Sequence, residues 1–106
     1  MDKLFGSQIR TDTLVAINRL GTTYVSELAR ILERRPIEVQ RALESLEKSG
    51  VVQTRRIGTI RTAEMNRQFP EFDELANLLL RISERPLYAR RWRNLRRRPR
   101  AMGKTS

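Results

Sequence analysis

Residues 25–60 constrain the fold of this chain more than any other stretch. They read VSELARIL, a charged break ERRP, then IEVQRALESLEKSG, then VVQTRRIGTI. Val25, Leu28, Ala29 and Leu32 recur at three- and four-residue steps, the spacing that puts apolar side chains on one face of a helix. Pro36 suits the first position of a second helix, where its missing amide costs nothing. Ile37, Val39, Ala42, Leu43 and Leu46 are expected to face the core, and Gly50 ends the run. The break between the two helices is so short that they must cross sharply. Val51 to Ile57 and Thr59 to Ala63 are β-prone runs folded at Gly58, a hairpin signal.

The flanking segments extend this frame. Over residues 4–20, Ile9, Thr13, Ala16, Ile17 and Leu20 mark one face of a helix, with Ser7 as its N-cap and Gly21 as its terminator. Thr22, Thr23 and Tyr24 form a short β-prone run placed to pair with the later ribbon. Residues 71–85 form a further helix whose acids (Glu71, Asp73, Glu74) and cations (Arg81, Arg85) match the helix dipole at each end. Phe72, Leu75, Leu78, Leu79 and Ile82 give it a broad apolar stripe. The stripe suits either the core alone or the core together with a second subunit.

At 106 residues with 39% apolar side chains, the chain has room for one domain and a modest core. The fold class expected is mainly α with a small β-hairpin. Residues 1–67 form the main unit, 68–85 a helix for the core or dimerisation, and 86–106 a basic tail, partly disordered.

The net charge of +10 is unevenly spread. Residues 86–106 carry eight Lys or Arg and no acid, so residues 1–85 hold 14 basic and 12 acidic side chains, a net of +2. The chain has no cysteine and no histidine. Disulfides are therefore excluded, and the commonest metal ligands and nucleophile–base pairs are missing. No metal, no cofactor and no enzymatic activity are expected. No apolar run approaches the roughly 20 residues that span a bilayer. A cytoplasmic, nucleoid-associated protein is the expectation.

The charge pattern points to an anionic partner. On the second helix of the central stretch, Glu38, Gln40, Arg41, Glu44, Ser45 and Lys48 face outward. Gln and Arg can pair bidentately with adenine and guanine edges in a major groove. The same face also reads as an ordinary solvated surface with pairs such as Glu44–Lys48. Arg34 and Arg35 lie in the turn, and Arg55, Arg56 and Arg61 lie on the ribbon, where residues 54–63 include no acid. All five suit phosphate contact, and the three on the ribbon also suit entry into a minor groove or else keep an edge hairpin soluble. In the tail, Arg90, Arg91, Trp92, Arg93, Arg96, Arg97 and Arg98 interleave cations with an aromatic, which suits phosphate contact and base stacking. A solvated tail ranks second and a membrane surface third.

Residues 4–67 resemble small bacterial or archaeal winged helix-turn-helix regulators of the arsenic-repressor (ArsR-like) and multiple-antibiotic-resistance (MarR-like) type. The matching stretches are LFGSQIR, YVSELARIL, VQRALESLEKSGVV and TRRIGT. The early LFGS is also similar to winged-helix modules encoded beside small nucleotidyltransferases. The resemblance implies a winged helix-turn-helix fold and a homodimeric regulator of double-stranded DNA. It puts recognition-helix contacts at Pro36, Glu38, Gln40, Arg41 and Ser45, and wing contacts at Arg55, Arg56 and Arg61. This chain departs from the pattern at Glu33 and Arg34, where the family has glycine and an apolar residue, and at Arg35, where it has a serine cap. Thr62 and Ala63 replace the aromatics of the wing, and the metal-sensing ligands are absent. The competing expectation is a protein-interaction scaffold whose basic tail binds RNA, nonspecific DNA or an acidic protein.

Overall fold

The computed structural model describes residues 6–86 and 88–90. The elements run α1 (Gln8–Leu20), β1 (Thr23–Tyr24), α2 (Val25–Leu32), α3 (Pro36–Lys48), β2 (Val52–Ile57), β3 (Ile60–Met65) and α4 (Phe72–Ser83). The three strands form an antiparallel sheet in the order β1-β3-β2, with Thr23 opposite Ala63 and Val52 opposite Met65. The two helices, their turn and the hairpin packed beside them make a winged helix-turn-helix.

Local chemistry sets most of the element ends. Ser7 Oγ accepts from the Arg10 amide at 3.3 Å and caps α1. Gly21, at φ +87, closes the same helix by donating its amide to Ile17. Thr23 Oγ1 donates to Glu27 Oε1 at 2.5 Å, which pins β1 to the first turn of α2. Pro36 opens α3, as its lack of an amide dictates. The hairpin base is closed by Asn66, whose amide nitrogen Nδ2 donates to Gly50 O at 2.8 Å.

The turn between α2 and α3 carries the one positive φ outside glycine among the described residues. Glu33 sits at φ 56, ψ 48, in the left-handed region, and caps α2 through amide bonds back to that helix. Glycine would adopt that geometry without steric cost, whereas a residue with a side chain adopts it at a cost.

The core sits between α1, α3, α4 and the sheet. Leu14, Val15, Ile17, Leu28, Val39, Leu43, Val52, Leu79 and Ile82 are almost wholly buried. Helix α1 differs from its expected one-sided burial, because every residue from Thr11 to Ile17 is buried. Packing by α2, α3, α4 and β3 surrounds it, so a single stripe does not describe it.

Two further differences concern the C-terminal part. Leu79 and Ile82, expected to serve a core or a second subunit, belong wholly to the core of this chain. The exposed apolar residues of α4 are Leu78 and Leu80, and Phe72 and Leu75 are half-buried. Tyr88, counted with the tail, is a core residue at 5% exposure. Its hydroxyl donates to Asp12 Oδ1 of α1 at 2.7 Å, and Gln8 Nε2 donates to the same oxygen at 2.8 Å.

Candidate nucleic-acid interface

Helix α3 is amphipathic, and its orientation follows from four buried side chains. Val39, Ala42, Leu43 and Leu46 turn into the core. The opposite stripe, spaced four, three and four residues apart, is Ile37, Arg41, Glu44 and Lys48, all exposed. Ile37 was expected in the core and stands 45% exposed instead. The signal was present in the sequence, since Ile37 shares its stripe with three charged residues. Its apolar character outweighed its phase.

Open clefts flank α3 on two sides. One, of about 320 Å³, lies toward the wing and is lined by Tyr24, Ser26, Gln40, Arg56, Ile60 and Arg61 among others. The other, of about 330 Å³, lies toward the start of α1 and is lined by Ser7, Arg10, Arg34, Glu38, Arg41 and Ser45 among others. Gln40 and Ser45 are half-buried on these opposite flanks, whereas Arg41 is exposed. The five residues expected to read base edges therefore do not share one face. Pro36 is exposed at the helix start, and Glu38 is half-buried.

Electrostatics divide the arginines expected to grip phosphate. Arg34 and Arg35 converge on Glu38, at 3.7 Å and 3.2 Å. The hydrogen bond from Arg35 and the two nearby positive charges hold the Glu38 carboxyl below the usual carboxylate range. Arg61 turns toward α3, with Nη2 3.2 Å from Glu47 Oε1 and Nη1 3.9 Å from Glu44 Oε2. Glu44, which an ordinary solvated face would pair with Lys48, is instead within reach of the wing. Thr54 Oγ1 donates to Glu47 Oε2 at 2.9 Å and accepts from Arg61 at 3.3 Å. Arg55 and Arg56 are exposed and make no ion pair among the described residues. They are the two wing cations turned to solvent.

Of the tail residues expected to bind nucleic acid, Arg90 is described and exposed. Arg91, Trp92, Arg93, Arg96, Arg97 and Arg98 lie outside the described residues. Among the described residues, no group of three or more acidic side chains could hold a metal ion. No described helix is long and apolar enough to cross a membrane.

Spacing alone did not point to Tyr24, Ile57 and Ile60, which are exposed at 39%, 60% and 52%. All three sit on or beside the wing. A β-prone residue near a strand end reads the same whether it is buried or exposed, so only the pairing register separates the cases.

These features define the class, a winged helix-turn-helix with an open second helix and a basic hairpin. Three solved structures share the fold. The AntR antimony-specific transcriptional repressor is 23% identical, with a TM-score of 0.63 over 77% of this chain and 72% of that one. YusO from Bacillus subtilis is 18% identical, with a TM-score of 0.59, covering 86% of this chain. A variant of ZitR from Lactococcus lactis is 12% identical, with a TM-score of 0.60, covering 84%. The chain spans 59% of the length of the YusO and ZitR chains. No protein-family model matches the sequence, nor does any curated protein.

Proposed function

We propose that this chain is a DNA-binding transcriptional regulator that works as a homodimer in the cytoplasm. The observation that carries the reading is the stripe Ile37, Arg41, Glu44 and Lys48. It stands exposed on α3 between an arginine-bearing turn and a hairpin whose Arg55 and Arg56 face solvent. In this reading α3 enters the major groove. Arg41 and Gln40 contact base edges, Ile37 meets a thymine methyl, and the wing holds flanking phosphates. A twofold dimer then requires half-sites about one helical turn apart, roughly 34–36 Å. AntR is an antimony-specific repressor, but soft ions of that kind favour thiolate ligands, and this chain has no cysteine.

The test is a binding titration on random and selected duplexes across salt concentrations. The expected result is a steep negative slope of log affinity against log salt, reduced when Arg55 and Arg56 become Ala. A slope near zero sinks the reading.

A second reading has its own support. Residues 1–85 carry a net charge of only +2, and α3 exposes Glu44 beside its cations. The winged helix is then a scaffold, and the basic tail binds RNA, nonspecific DNA or an acidic protein. Because Tyr88 belongs to the core, the discriminating truncation removes residues 91–106 and no more. Selective duplex binding by the truncated chain favours the first reading. Loss of all affinity, with no selectivity in the full chain, favours the second.

A further inference from the structure

We propose that the tip of the wing is an apolar wedge, in which Ile57 and Ile60 enter a minor groove and part a base step of bent duplex DNA. The inference rests on the DNA-binding reading and specifies what the wing does there. Ile57 and Ile60 form the last register pair of the hairpin, directly across the turn at Gly58 and Thr59. Paired residues of an antiparallel ladder project to the same face, so the two side chains make one apolar point. They are 60% and 52% exposed, the largest exposures among the large apolar side chains described.

Geometry puts that point beyond the body of the protein. The last buried position along β3 is Ala63, opposite Thr54. Three residue pairs continue past it, roughly 10 Å of strand at the usual rise. Arg61, in the second of those pairs, is fastened to Glu47 of α3, so the tip keeps a set position relative to the helix. The turn itself does not require isoleucine. Gly58, at φ +64, supplies the left-handed residue that the first position of a two-residue hairpin turn needs.

Charge selects the occupant. Arg55 and Arg56 stand immediately behind the tip, and residues 54–63 contain no acid. The surface is therefore an apolar point on a cationic stalk. A minor groove offers the matching pair, a stack of apolar base faces between two rows of phosphate. Proteins that kink DNA from this groove insert side chains of this kind, isoleucine among them, and gain contacts from the bend. TA steps unstack most readily, so the wedge prefers them.

The experiment uses the full chain and an end-labelled duplex of about 30 base pairs, rich in A and T, with TA steps at two positions. Energy transfer between the ends reports bending, and 2-aminopurine beside each TA step reports unstacking. The expected result is that the wild type draws the ends together and brightens one step. The double variant Ile57→Thr, Ile60→Thr keeps β-branching, and so the hairpin, but removes the apolar point. It is expected to bind roughly tenfold more weakly, with an unchanged salt slope, and to leave the duplex straight. Arg55→Ala should do the reverse, lowering the slope and keeping the bend. Binding by the wild type without bending or unstacking overturns the wedge and leaves the DNA-binding reading standing, as does equal bending by the threonine variant. No duplex binding by the wild type at any salt concentration removes both.

Discussion

Arg61 of the wing donates to Glu47 of α3 across 3.2 Å, a contact that helps to give the two elements a common frame. Thr54 closes the other side of the same carboxylate at 2.9 Å. One arginine of the hairpin is thereby a brace, whereas Arg55 and Arg56 stay turned to solvent. The division predicts different outcomes for substitutions of the same type. Arg61→Ala should cost about 0.5–1 kcal/mol, the value of a partly exposed ion pair with good geometry. That corresponds to a fall in Tm of roughly 2–8 °C for a domain of this size. Arg55→Ala and Arg56→Ala should leave Tm unchanged and each reduce the salt slope of DNA binding by about one. Calorimetry and salt titration on the three variants decide the matter, and an unchanged Tm for Arg61→Ala counts against the brace.

Glu38 occupies Arg34 and Arg35 at the start of α3, and its neutralisation should free them. Glu38→Gln is expected to raise duplex affinity and steepen the salt slope by up to about 0.9 for each phosphate gained. The pH dependence has a definite sign. The carboxyl is held below its ordinary value in the folded chain, chiefly by the Arg35 hydrogen bond. Its contribution to stability is therefore present above the unfolded pKa and lost as pH falls through the lowered folded one. Stability of the wild type should therefore fall more steeply in acid than that of Glu38→Gln, and denaturant titrations of both from neutral pH downward check the sign.

Burial explains which parts of this molecule were legible before its structure. The elements from α2 to the hairpin were readable because their signals are local. Pro36 opens a helix, Gly50 follows one, and Gly58 turns a ribbon whatever packs around them. Contacts between elements were not readable. Tyr88 lies 76 residues from Asp12, so nothing in its own neighbourhood marks it as core rather than tail. Arg61 reads as one more wing cation until α3 brings Glu47 beside it. The all-round burial of α1 escaped for the same reason, because spacing counts one stripe and several partners pack against it. Ile37 is the instructive exception, since its helical phase was visible and its chemistry pointed the other way.

Tyr88→Phe should be markedly destabilising despite the small change in volume. The hydroxyl donates to a buried carboxylate oxygen at 2.7 Å, and its loss takes one donor from that site. Removing one partner of a buried hydrogen bond costs about 1–3 kcal/mol. Tm should fall by at least 4 °C by the usual scaling for small domains, about 4–8 °C per kcal/mol. The same reasoning predicts that truncation after residue 86, which removes Tyr88, lowers Tm. Thermal melts of the three chains test both statements.

Glu33→Gly should leave the fold intact and raise its stability slightly. Holding a residue with a side chain in the left-handed region costs on the order of 1 kcal/mol or more. Glycine relieves that cost and adds about 0.5–1 kcal/mol of extra backbone entropy to lose on folding. The expected net is a gain of roughly 0 to 1 kcal/mol, because the Glu33 side chain is exposed and makes no ion pair among the described residues. Chemical denaturation measures it directly. A loss of more than about 1 kcal/mol would mean the side chain contributes something beyond its backbone geometry.

The proposed dimer rests on α4, which exposes Leu78 and Leu80, at 40% and 43%, on its two flanks either side of buried Leu79. Leu79 and Ile82 are fully buried in the same helix, so substituting them would unfold the chain and say nothing about assembly. Leu78→Glu with Leu80→Glu separates the questions. Neither side chain is part of the core, so the folded monomer should persist with a near-native circular dichroism spectrum. If either flank of α4 carries the interface, like charges brought together across a twofold axis should dissociate it. Sedimentation should then give a monomer, and affinity for a two-half-site duplex should fall toward that for a single half-site. An unchanged dimer in the double variant moves the interface away from α4.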